Sequence, residues 1–355
     1  MPFLSADSAE PPEASVIIPL HKDGERFRRC LAGCLAMQVR TRFEVIVVSD
    51  RPVQDLSSSL IRTETGSLTP TSPAIKRDIG ETLARGQVLA FLDDDAYPST
   101  NWLDAAIDAL RGSAVHGVGG PGLTPPDSSW RERLGGAVYE SRLGSGPLRR
   151  RFLSVGPAGD CDDLPAYNLV IRRDAIVATG GWASNYYGGE DTKLCLALVD
   201  TGFRLCYDPS VIVYHYRRPF LRPHLRQVAN VGRHRGYFFR KYPSTSRRGL
   251  YALPALGALG MVPAVFGAAL AIRAAPRPSS AVLAGGWLAL SVPRFRKLGV
   301  AALAFPLLLL SHHLAYGLNF LRGLCTLTLR DLNGPPEARL HHSVFRTSAT
   351  SGQVD

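Results

Sequence analysis

Short apolar runs rich in β-branched residues alternate with amphipathic stretches in the N-terminal part of the chain, and this alternation constrains the fold more than any other feature. The runs are 15-SVIIPL-20, 43-FEVIVVS-49 and 87-QVLAFL-92, and helical patterns occupy 25–38 and 74–84 between them. Strands that are apolar along their whole length are typical of a parallel sheet covered by helices on both faces. The sequence therefore predicts an α/β fold with a mainly parallel, Rossmann-like sheet.

The same domain continues to about residue 216. A helical pattern at 101–110 is followed by a glycine-rich passage near 117–122 and by a long section, to about 163, in which no periodicity is evident. We expect that section to be irregular. Further patterns predict a strand at 167–173, helices at 174–179 and 191–201, and two short strands within 203–216.

Charge is distributed unequally along the chain. Residues 1–208 contain 22 Lys and Arg against 27 Asp and Glu, whereas residues 209–330 contain 17 Lys and Arg and no acid. The partner implied by the net charge of +11 should therefore contact the C-terminal part. That part also contains three apolar blocks, at 250–272, 280–292 and 298–321, with basic residues only between them.

The first and third blocks are long enough to cross a bilayer, and the middle block is short for a full span. We therefore expect two to three transmembrane helices within 249–324, in preference to a very apolar soluble helical domain. The basic segment 217–248 precedes them, so the positive-inside rule predicts that this segment and the N-terminal domain are cytoplasmic. Anionic membrane lipid is the expected partner of the segment, and the adjoining spans disfavour the alternative, nucleic acid.

The domain organisation that follows has five parts. They are a disordered lead-in without signal-peptide features at 1–13, a folded domain at 14–216, the basic juxtamembrane segment at 217–248, the membrane helices at 249–324 and a tail at 325–355. The six cysteines form no CxxC pair, which indicates reduced thiols in a cytosolic compartment.

Three adjacent acids, in 91-FLDDDAYP-98, follow the third apolar strand. Ligands of parallel α/β sheets bind at the carboxyl ends of the strands, where Asp50 also lies. Asp93 and Asp95, separated by one residue, can converge from one tight turn on a divalent cation, Mg or Mn, while Asp94 points away or contacts a substrate. The alternative is a solvated turn or a helix N-cap.

A second acidic pair, Glu190 and Asp191, stands between 186-YYGG-189 and an amphipathic helix. Acids in the first turn of a helix interact favourably with the helix dipole, and that is the structural interpretation of the pair. The functional interpretation is a general base that removes a proton from an attacking hydroxyl. The local sequence leaves both open.

Taken together, these motifs resemble those of the family 2 inverting glycosyltransferases of the GT-A fold, over about 14–216. The matching stretches are 15-SVIIPLHKDG-24, 43-FEVIVVSD-50, 76-KRDIG-80, 85-RGQVLAFLDDDAYP-98, 168-NLVIRRDAIVATGGW-182, 188-GGEDTKL-194 and 202-GFRLCYDPSVIVYH-215. The resemblance implies a metal-dependent enzyme that moves a sugar from a nucleotide-sugar, most commonly a UDP-sugar, with inversion.

The resemblance also implies roles for individual residues. Asp93 and Asp95 match the DxD positions that bind the divalent metal and the sugar-nucleotide diphosphate, so Asp93 is also a nucleotide-sugar-binding position. Asp191 matches the catalytic base with Glu190 as its neighbour. His215 matches a histidine that ligates the metal in some relatives, with a core histidine as the alternative. The remaining matches are nucleotide-sugar-binding positions and an aromatic near the acceptor: Pro19, Leu20, Asp50, Arg77, Asp94 and, for the acceptor, Trp182.

The chain departs from the family pattern at several points. The usual VDDGS reads 47-VVSDRP-52, which leaves one carboxylate, and Asp78 stands where Asn is usual. The QxxRW motif of processive synthases is absent, which predicts one sugar per encounter. The C-terminal spans, with 312-HHLAYGLNFLRGL-324, are similar to those of bacterial exopolysaccharide enzymes of the inner membrane. The resemblance therefore implies a multi-pass enzyme with a lipid-linked saccharide acceptor; the alternatives are transfer to polyprenyl phosphate and a non-catalytic scaffold.

Overall fold

The computed structural model describes residues 10–54, 56, 61–65, 72–111, 114–182, 189–274 and 276–326. Most of the expected lead-in and tail, at 1–9 and 327–355, therefore lies outside the described residues, as does most of 186-YYGG-189. The described residues group into two compact units. The first comprises 10–123 and 153–215, and the second comprises 124–152 and 216–326.

The strands all belong to the first unit. They are β1 (Ala14–Leu20), β2 (Phe43–Ser49), β3 (Ile61–Thr65), β4 (Val88–Phe91), β5 (Ala96–Pro98), β6 (Gly117–Gly119), β7 (Gly122–Leu123), β8 (Gly159–Cys161), β9 (Leu169–Arg172), β10 (Leu205–Tyr207) and β11 (Val213–His215).

The helices occur in both units. They are α1 (Glu25–Leu35), α2 (Pro73–Leu83), α3 (Trp102–Arg111), α4 (Trp130–Glu140), α5 (Arg142–Ser145), α6 (Arg173–Ala178), α7 (Glu190–Asp200), α8 (Arg222–Lys241), α9 (Pro243–Ser246), α10 (Gly249–Ala274), α11 (Pro276–Ser291), α12 (Phe295–Leu298) and α13 (Phe305–Cys325).

The large sheet has the order β3-β2-β1-β4-β9-β6-β10-β8. Strands β3, β2, β1 and β4 are mutually parallel, and β9 pairs antiparallel with both β4 and β6. Side chains of β1 alternate between two cores: Val16 and Ile18 pack with α1 and α3, and Ile17 packs with α2, α6 and α7. The predicted α/β fold, with a mostly parallel sheet and helices on both faces, is therefore confirmed.

A smaller sheet, ordered β5-β11-β7, lies at the end of β4. β11 pairs antiparallel with β5, so that His215 stands opposite Ala96, the residue that follows the three acids. The rings of Tyr97 and Tyr214 stack with their centroids 4.9 Å apart along the same pairing. The small sheet thus brings the carboxyl end of β4 and the end of the first unit together.

The segment 124–152 belongs to the helical unit, and the expectation that it is irregular is wrong. Helix α4 begins with a capping box, in which Ser129 and Glu132 each accept a hydrogen bond from the other's backbone amide. Its residues Leu134 and Val138 pack in a core with Phe305, Leu308 and Leu309 of α13. Two glycines and several charges in α4 conceal the apolar pattern that produces this packing.

Helices α8, α10 and α13 make close backbone contacts through glycines. A Cβ added at Gly236 of α8 would clash with the carbonyl of Phe320, and one at Gly317 of α13 would clash with the carbonyl of Pro254 on α10. Within the described residues, one helical stretch, Ala281–Cys325, is long and apolar enough to cross a membrane by length and composition, and Gly249–Gly260 is a shorter apolar helix. Attachment through several spans therefore stays a prediction.

Candidate active site

Two carboxylates and one imidazole converge where β4 meets the small sheet. Oδ1 of Asp95 lies 3.1 Å from Nε2 of His215. Asp93 completes the cluster, because one ligand atom from each of Asp93, Asp95 and His215 lies within 4.8 Å of the other two. The ring of Tyr167 stacks on that of His215 at 4.4 Å between centroids, which fixes the imidazole orientation.

The donor set fits a divalent cation. Carboxylate oxygens are the ligands that Mg²⁺ and Mn²⁺ prefer, and an imidazole nitrogen suits a transition metal such as Mn²⁺. All three side chains are buried or partly buried, so the cluster is not a solvated surface patch. His215 lies beside Asp95, where an imidazole could ligate a metal, and its assignment as a metal ligand stays a prediction.

Asp94 has a different environment from the acids on either side of it. Its Oδ2 accepts hydrogen bonds from the backbone amides of His21, at 2.8 Å, and Lys22, at 3.4 Å. Burial raises the pKa of Asp94 and the carboxylates of Asp95 and Asp93 add to the rise, while the His21 amide opposes it. The side chain therefore fastens the loop after β1 to the acidic turn.

Arg77 joins the acidic turn to the second acidic pair. Its Nη2 donates to Oδ1 of Asp93 at 2.7 Å, and its Nη1 donates to Oε1 of Glu190 at 3.4 Å. The guanidinium lies 4.6 Å from the ring centroid of Trp182. Burial disfavours the charge, but Asp93 and Glu190 outweigh it, so that the pKa of Arg77 is raised.

The two acids at the start of α7 differ in their surroundings. Gly189 is the N-cap, and Oε2 of Glu190 accepts from the Gly189 amide at 2.9 Å. Glu190 is only 9% exposed and is also bonded to Arg77, so its carboxylate is held in place. Asp191 accepts from the Thr192 amide at 2.8 Å and is less buried. Of the two, Asp191 is the carboxylate better able to reach a substrate.

A buried lysine lies at the carboxyl ends of β1 and β2. Nζ of Lys76 donates to Oδ2 of Asp50 at 2.7 Å and to the carbonyl of Leu20 at 2.6 Å. Pro19 and Leu20 are buried in β1, so any contribution they make to a ligand site comes from their backbone. Lys76 is not among the site residues predicted from the sequence. The signal for it is a lysine between the apolar Ile75 and Ile79, on the inner face of a helix.

Trp182 is 2% exposed and lies behind Arg77, with its ring edge-on to Phe91 at 5.0 Å between centroids. Its backbone amide donates to Oδ1 of Asp78 at 2.7 Å, a contact that the Asn usual at this position in the family could also accept. The predicted contact of Trp182 with an acceptor stays a prediction. In the described residues the ring of Trp182 packs against the guanidinium of Arg77.

The fold and the site define a GT-A-like α/β domain with an acidic cluster at the end of a central strand. A solved structure with a similar fold is the mannosyltransferase PcManGT from Pyrobaculum calidifontis in complex with GDP-Man and Mn²⁺. It superposes with a TM-score of 0.57 over 87% of this chain and 88% of that protein, at 16% sequence identity. At that identity the likeness shows the fold alone.

Sequence comparison adds the family. The profile of Glycosyl transferase family 2 matches residues 15–169, so the chain contains a domain of glycosyltransferase family 2. Glycosyltransferase AglE of Haloferax volcanii is 27% identical over 220 residues, which are 59% of this chain and 68% of that protein.

Two further relatives match smaller shares. The succinoglycan biosynthesis protein ExoA of Rhizobium meliloti is 26% identical over 202 residues, which are 57% of this chain and 58% of that protein. A pre-mycofactocin glycosyltransferase of Mycobacterium tuberculosis is 31% identical over 161 residues, or 45% of this chain and 33% of that protein. The resemblance to family 2 glycosyltransferases is thereby confirmed.

Proposed function

We propose that this protein is a membrane-attached, inverting, metal-dependent glycosyltransferase. It moves one sugar from a nucleotide-sugar, a UDP-sugar in the first instance, to a hydroxyl of a lipid-linked saccharide during synthesis of a cell-surface or extracellular polysaccharide. One observation carries the proposal: the guanidinium of Arg77 pairs with both Asp93 and Glu190. It thereby connects the acidic cluster that could bind a metal to the second acidic pair.

The acidic cluster has the chemistry of a donor site. A divalent cation held by Asp93, Asp95 and His215 would neutralise a diphosphate and stabilise it as a leaving group. Asp50, held by Lys76 at the neighbouring strand end, is in place to accept hydrogen bonds from the base or ribose of the nucleotide. Both groups lie at the carboxyl ends of parallel strands, where α/β sheets bind nucleotides.

The pair at the start of α7 supplies the acceptor side. Asp191 removes the proton of the acceptor hydroxyl as its oxygen attacks the anomeric carbon from the face opposite the diphosphate. A single displacement of this kind inverts the anomeric configuration. Glu190, bonded to Arg77 and to the Gly189 amide, holds the first turn of α7 in the orientation that Asp191 needs.

The helical unit has the surface properties of a membrane anchor. α8 exposes four cations, Arg222, Arg226, Arg240 and Lys241, which suits contact with anionic headgroups of the cytoplasmic leaflet. Large apolar side chains are exposed along the helices that follow: Leu253, Leu256, Leu259, Leu270, Val282, Leu283, Trp287, Leu288 and Val300. At about 1.5 Å per residue, α10 alone measures roughly 39 Å, enough for a bilayer core of about 30 Å. These features support attachment through more than one span of an inner membrane.

The acceptor class rests on two supports. A general base is needed when a hydroxyl attacks, and Asp191 provides one, whereas the phosphate oxygen of a polyprenyl phosphate is already ionised and attacks without such a base. Among the relatives, ExoA is by its name a succinoglycan biosynthesis protein. Both favour a saccharide hydroxyl over lipid phosphate.

The test is a donor screen with membranes that carry the full chain. UDP-, GDP- and dTDP-sugars are supplied with Mg²⁺ or Mn²⁺, and with either a lipid-linked saccharide or polyprenyl phosphate as acceptor. Transfer to the saccharide should fall by at least about 100-fold in Asp191→Asn, because general-base catalysis contributes about 10²–10⁴-fold. Asp200→Asn, an exposed acid at the other end of α7, is the matched control and should retain activity.

Four results would count against the proposal. Full activity of Asp191→Asn would exclude its role as base, and transfer only to polyprenyl phosphate would replace the acceptor. No metal-dependent binding or hydrolysis of any nucleotide-sugar would indicate a non-catalytic scaffold. Release of the chain from membranes by an alkaline carbonate wash would contradict the proposed spans.

A further inference from the structure

Three consecutive charged residues, Lys76, Arg77 and Asp78, lie in the first turns of α2 and are only 3%, 2% and 6% exposed. Burial of a charge is costly unless the charge is paired and hydrogen-bonded. Three in succession therefore require three separate sets of partners, and the structure provides them from several segments of the first unit.

The partners belong to different parts of the proposed site. Lys76 contacts the nucleotide side, through Asp50 and the carbonyl of Leu20. Arg77 contacts the metal side and the base side together, through Asp93 and Glu190.

Asp78 contacts the chain shortly before α7. Its Oδ1 accepts from the amide of Trp182 at 2.7 Å. Gly181, the residue before, has a φ of +77°, and a Cβ there would lie 2.6 Å from the same oxygen. The carboxylate thus holds this backbone at a close approach that only glycine allows. In the sequence, Glu190 and Asp191 follow Trp182 by eight and nine positions.

The helix that carries the three residues is itself firmly placed. Ser72 is its N-cap and accepts from the Ile75 amide at 3.4 Å. Ile75 and Ile79 pack in the core beside Ile17 of β1, and a Cβ at Gly80 would clash with the Ile17 side chain. Since α2 lies this close to β1, a shift of the helix would move all three contacts at once.

We propose that Lys76, Arg77 and Asp78 are positioning residues of this enzyme. Together they fix three groups relative to one another: Asp50 on the nucleotide side, the metal carboxylate Asp93 with Glu190, and the backbone at Trp182. The proposal rests on the proposed function. None of the three acts on the reacting atoms: Lys76 acts through Asp50, Arg77 through Asp93 and Glu190, and Asp78 through the backbone at Trp182.

This arrangement predicts a different kinetic signature for each position. Loss of Lys76 releases Asp50 and should weaken nucleotide binding while the chemical step is retained. Loss of the Arg77 bridge or of the Asp78 contact misplaces the base relative to the donor, and a displacement of about 1 Å costs on the order of 100-fold in rate. A residue that merely stabilised the fold would change all parameters together.

The experiment compares Lys76→Met, Arg77→Lys, Asp78→Ala and Asp78→Asn in the full chain. Thr82→Ala, an exposed position on α2, is the control. The readouts are kcat and donor KM, binding of UDP and GDP in the presence of Mn²⁺ by calorimetry, and thermal unfolding. The nucleotide-binding readout does not depend on sugar transfer, so a failure of the proposed function is visible separately, as an inactive wild type that still binds nucleotide.

The expected results differ by variant. Lys76→Met should weaken nucleotide binding and raise donor KM about tenfold with kcat within threefold of the wild type. Arg77→Lys should lower kcat about 100-fold, because a lysine keeps the charge but lacks the planar guanidinium whose Nη2 and Nη1 reach Asp93 and Glu190 separately. Asp78→Ala should lower kcat to a similar extent, and Asp78→Asn, whose side-chain oxygen can accept the same amide, should restore it.

Two results would overturn the proposal. One is an Asp78→Asn variant as impaired as Asp78→Ala, since the amide contact would then not be what matters. The other is a parallel change of kcat, KM and unfolding temperature in all variants, which would indicate general destabilisation. If Asp78→Ala does not fold, Asp78→Glu, which displaces the same carboxylate by one methylene, takes its place.

Discussion

Nε2 of His215 lies 3.1 Å from Oδ1 of Asp95, although the two residues are 120 positions apart in the chain. The antiparallel pairing of β11 with β5 produces this contact, because it sets His215 opposite Ala96. Asp95 sits at the beginning of the small sheet and His215 at the end of the first unit. The metal-type cluster is therefore assembled by strand pairing and does not depend on a flexible loop.

The cluster predicts that His215 contributes directly to metal affinity. His215→Ala and Asp95→Ala should each weaken Mn²⁺ binding by about tenfold or more, since loss of even an outer-shell partner typically costs about 10–100-fold. Titration of Mn²⁺ into the full chain, followed by electron paramagnetic resonance of the free ion, measures this. Asp160→Asn, an exposed carboxylate of the same unit paired with Arg204, is the control. An unchanged Mn²⁺ affinity in His215→Ala would indicate that His215 is a core residue and not a metal ligand.

The three acids of the turn should respond differently to the same substitution. Asp94→Asn keeps an oxygen that can accept from the amides of His21 and Lys22, so it should retain metal binding and fold stability. Asp94→Ala leaves those amides without the acceptor and should lower the free energy of unfolding by about 1 kcal/mol. Urea unfolding and the Mn²⁺ titration check both. A loss of metal binding in Asp94→Asn equal to that in Asp93→Asn would assign Asp94 to the metal.

Much of the first unit is predictable because its signals are local. Apolar runs predict the buried strands, and the acids directly after them predict the edge of the sheet at which ligands bind. The strand β3 was missed because Ile61–Thr65 lies at the sheet edge and carries polar side chains, so it lacks the continuous apolar run. Helix α4 was missed although Ser129 and Glu132 are spaced as a capping box, a signal that was available in the sequence.

The site was predicted less completely for a physical reason. The residues that carry charge at strand ends are visible in sequence, but the partners of a buried charge come from distant segments. Lys76 and Asp78 form hydrogen bonds with Asp50 and Trp182, which lie 26 and 104 positions away in the sequence. No local pattern encodes such pairs. The hydrogen bond that holds Glu190 likewise comes from Arg77, 113 positions away.

Glycine contacts in the helical unit predict a sharp difference between two alanine substitutions. Gly236→Ala should destabilise the unit by about 1–3 kcal/mol, because the new methyl would clash with the carbonyl of Phe320 and force α8 and α13 apart. Gly260→Ala on α10 has nothing within 4 Å of the new atom and should be neutral or stabilising by up to about 1 kcal/mol. Thermal unfolding in detergent compares the two. Equal stability would show that α8 and α13 do not pack at this distance.

The helical unit should also lose stability in acid through a buried histidine pair. Nε2 of His224 lies 3.1 Å from Nδ1 of His312, and the ring of Tyr139 on α4 packs against both. Burial lowers the pKa of His224 from 6.5 to about 4. Because the unfolded chain binds this proton below pH 6.5 and the folded chain does not, the free energy of unfolding falls as the pH drops from 6.5 towards 4.

The size of that loss follows from the linkage between protonation and folding. At pH 5 the difference in pKa corresponds to about 2 kcal/mol. The unfolding temperature of the full chain, measured between pH 7.5 and pH 5 by intrinsic fluorescence, should fall accordingly. In His224→Leu the pH-dependent part should shrink, because the group that must be charged on unfolding is gone, while His21→Gln, at an exposed loop position, should leave it unchanged. An identical pH dependence in His224→Leu and the wild type would show that another group causes the acid sensitivity.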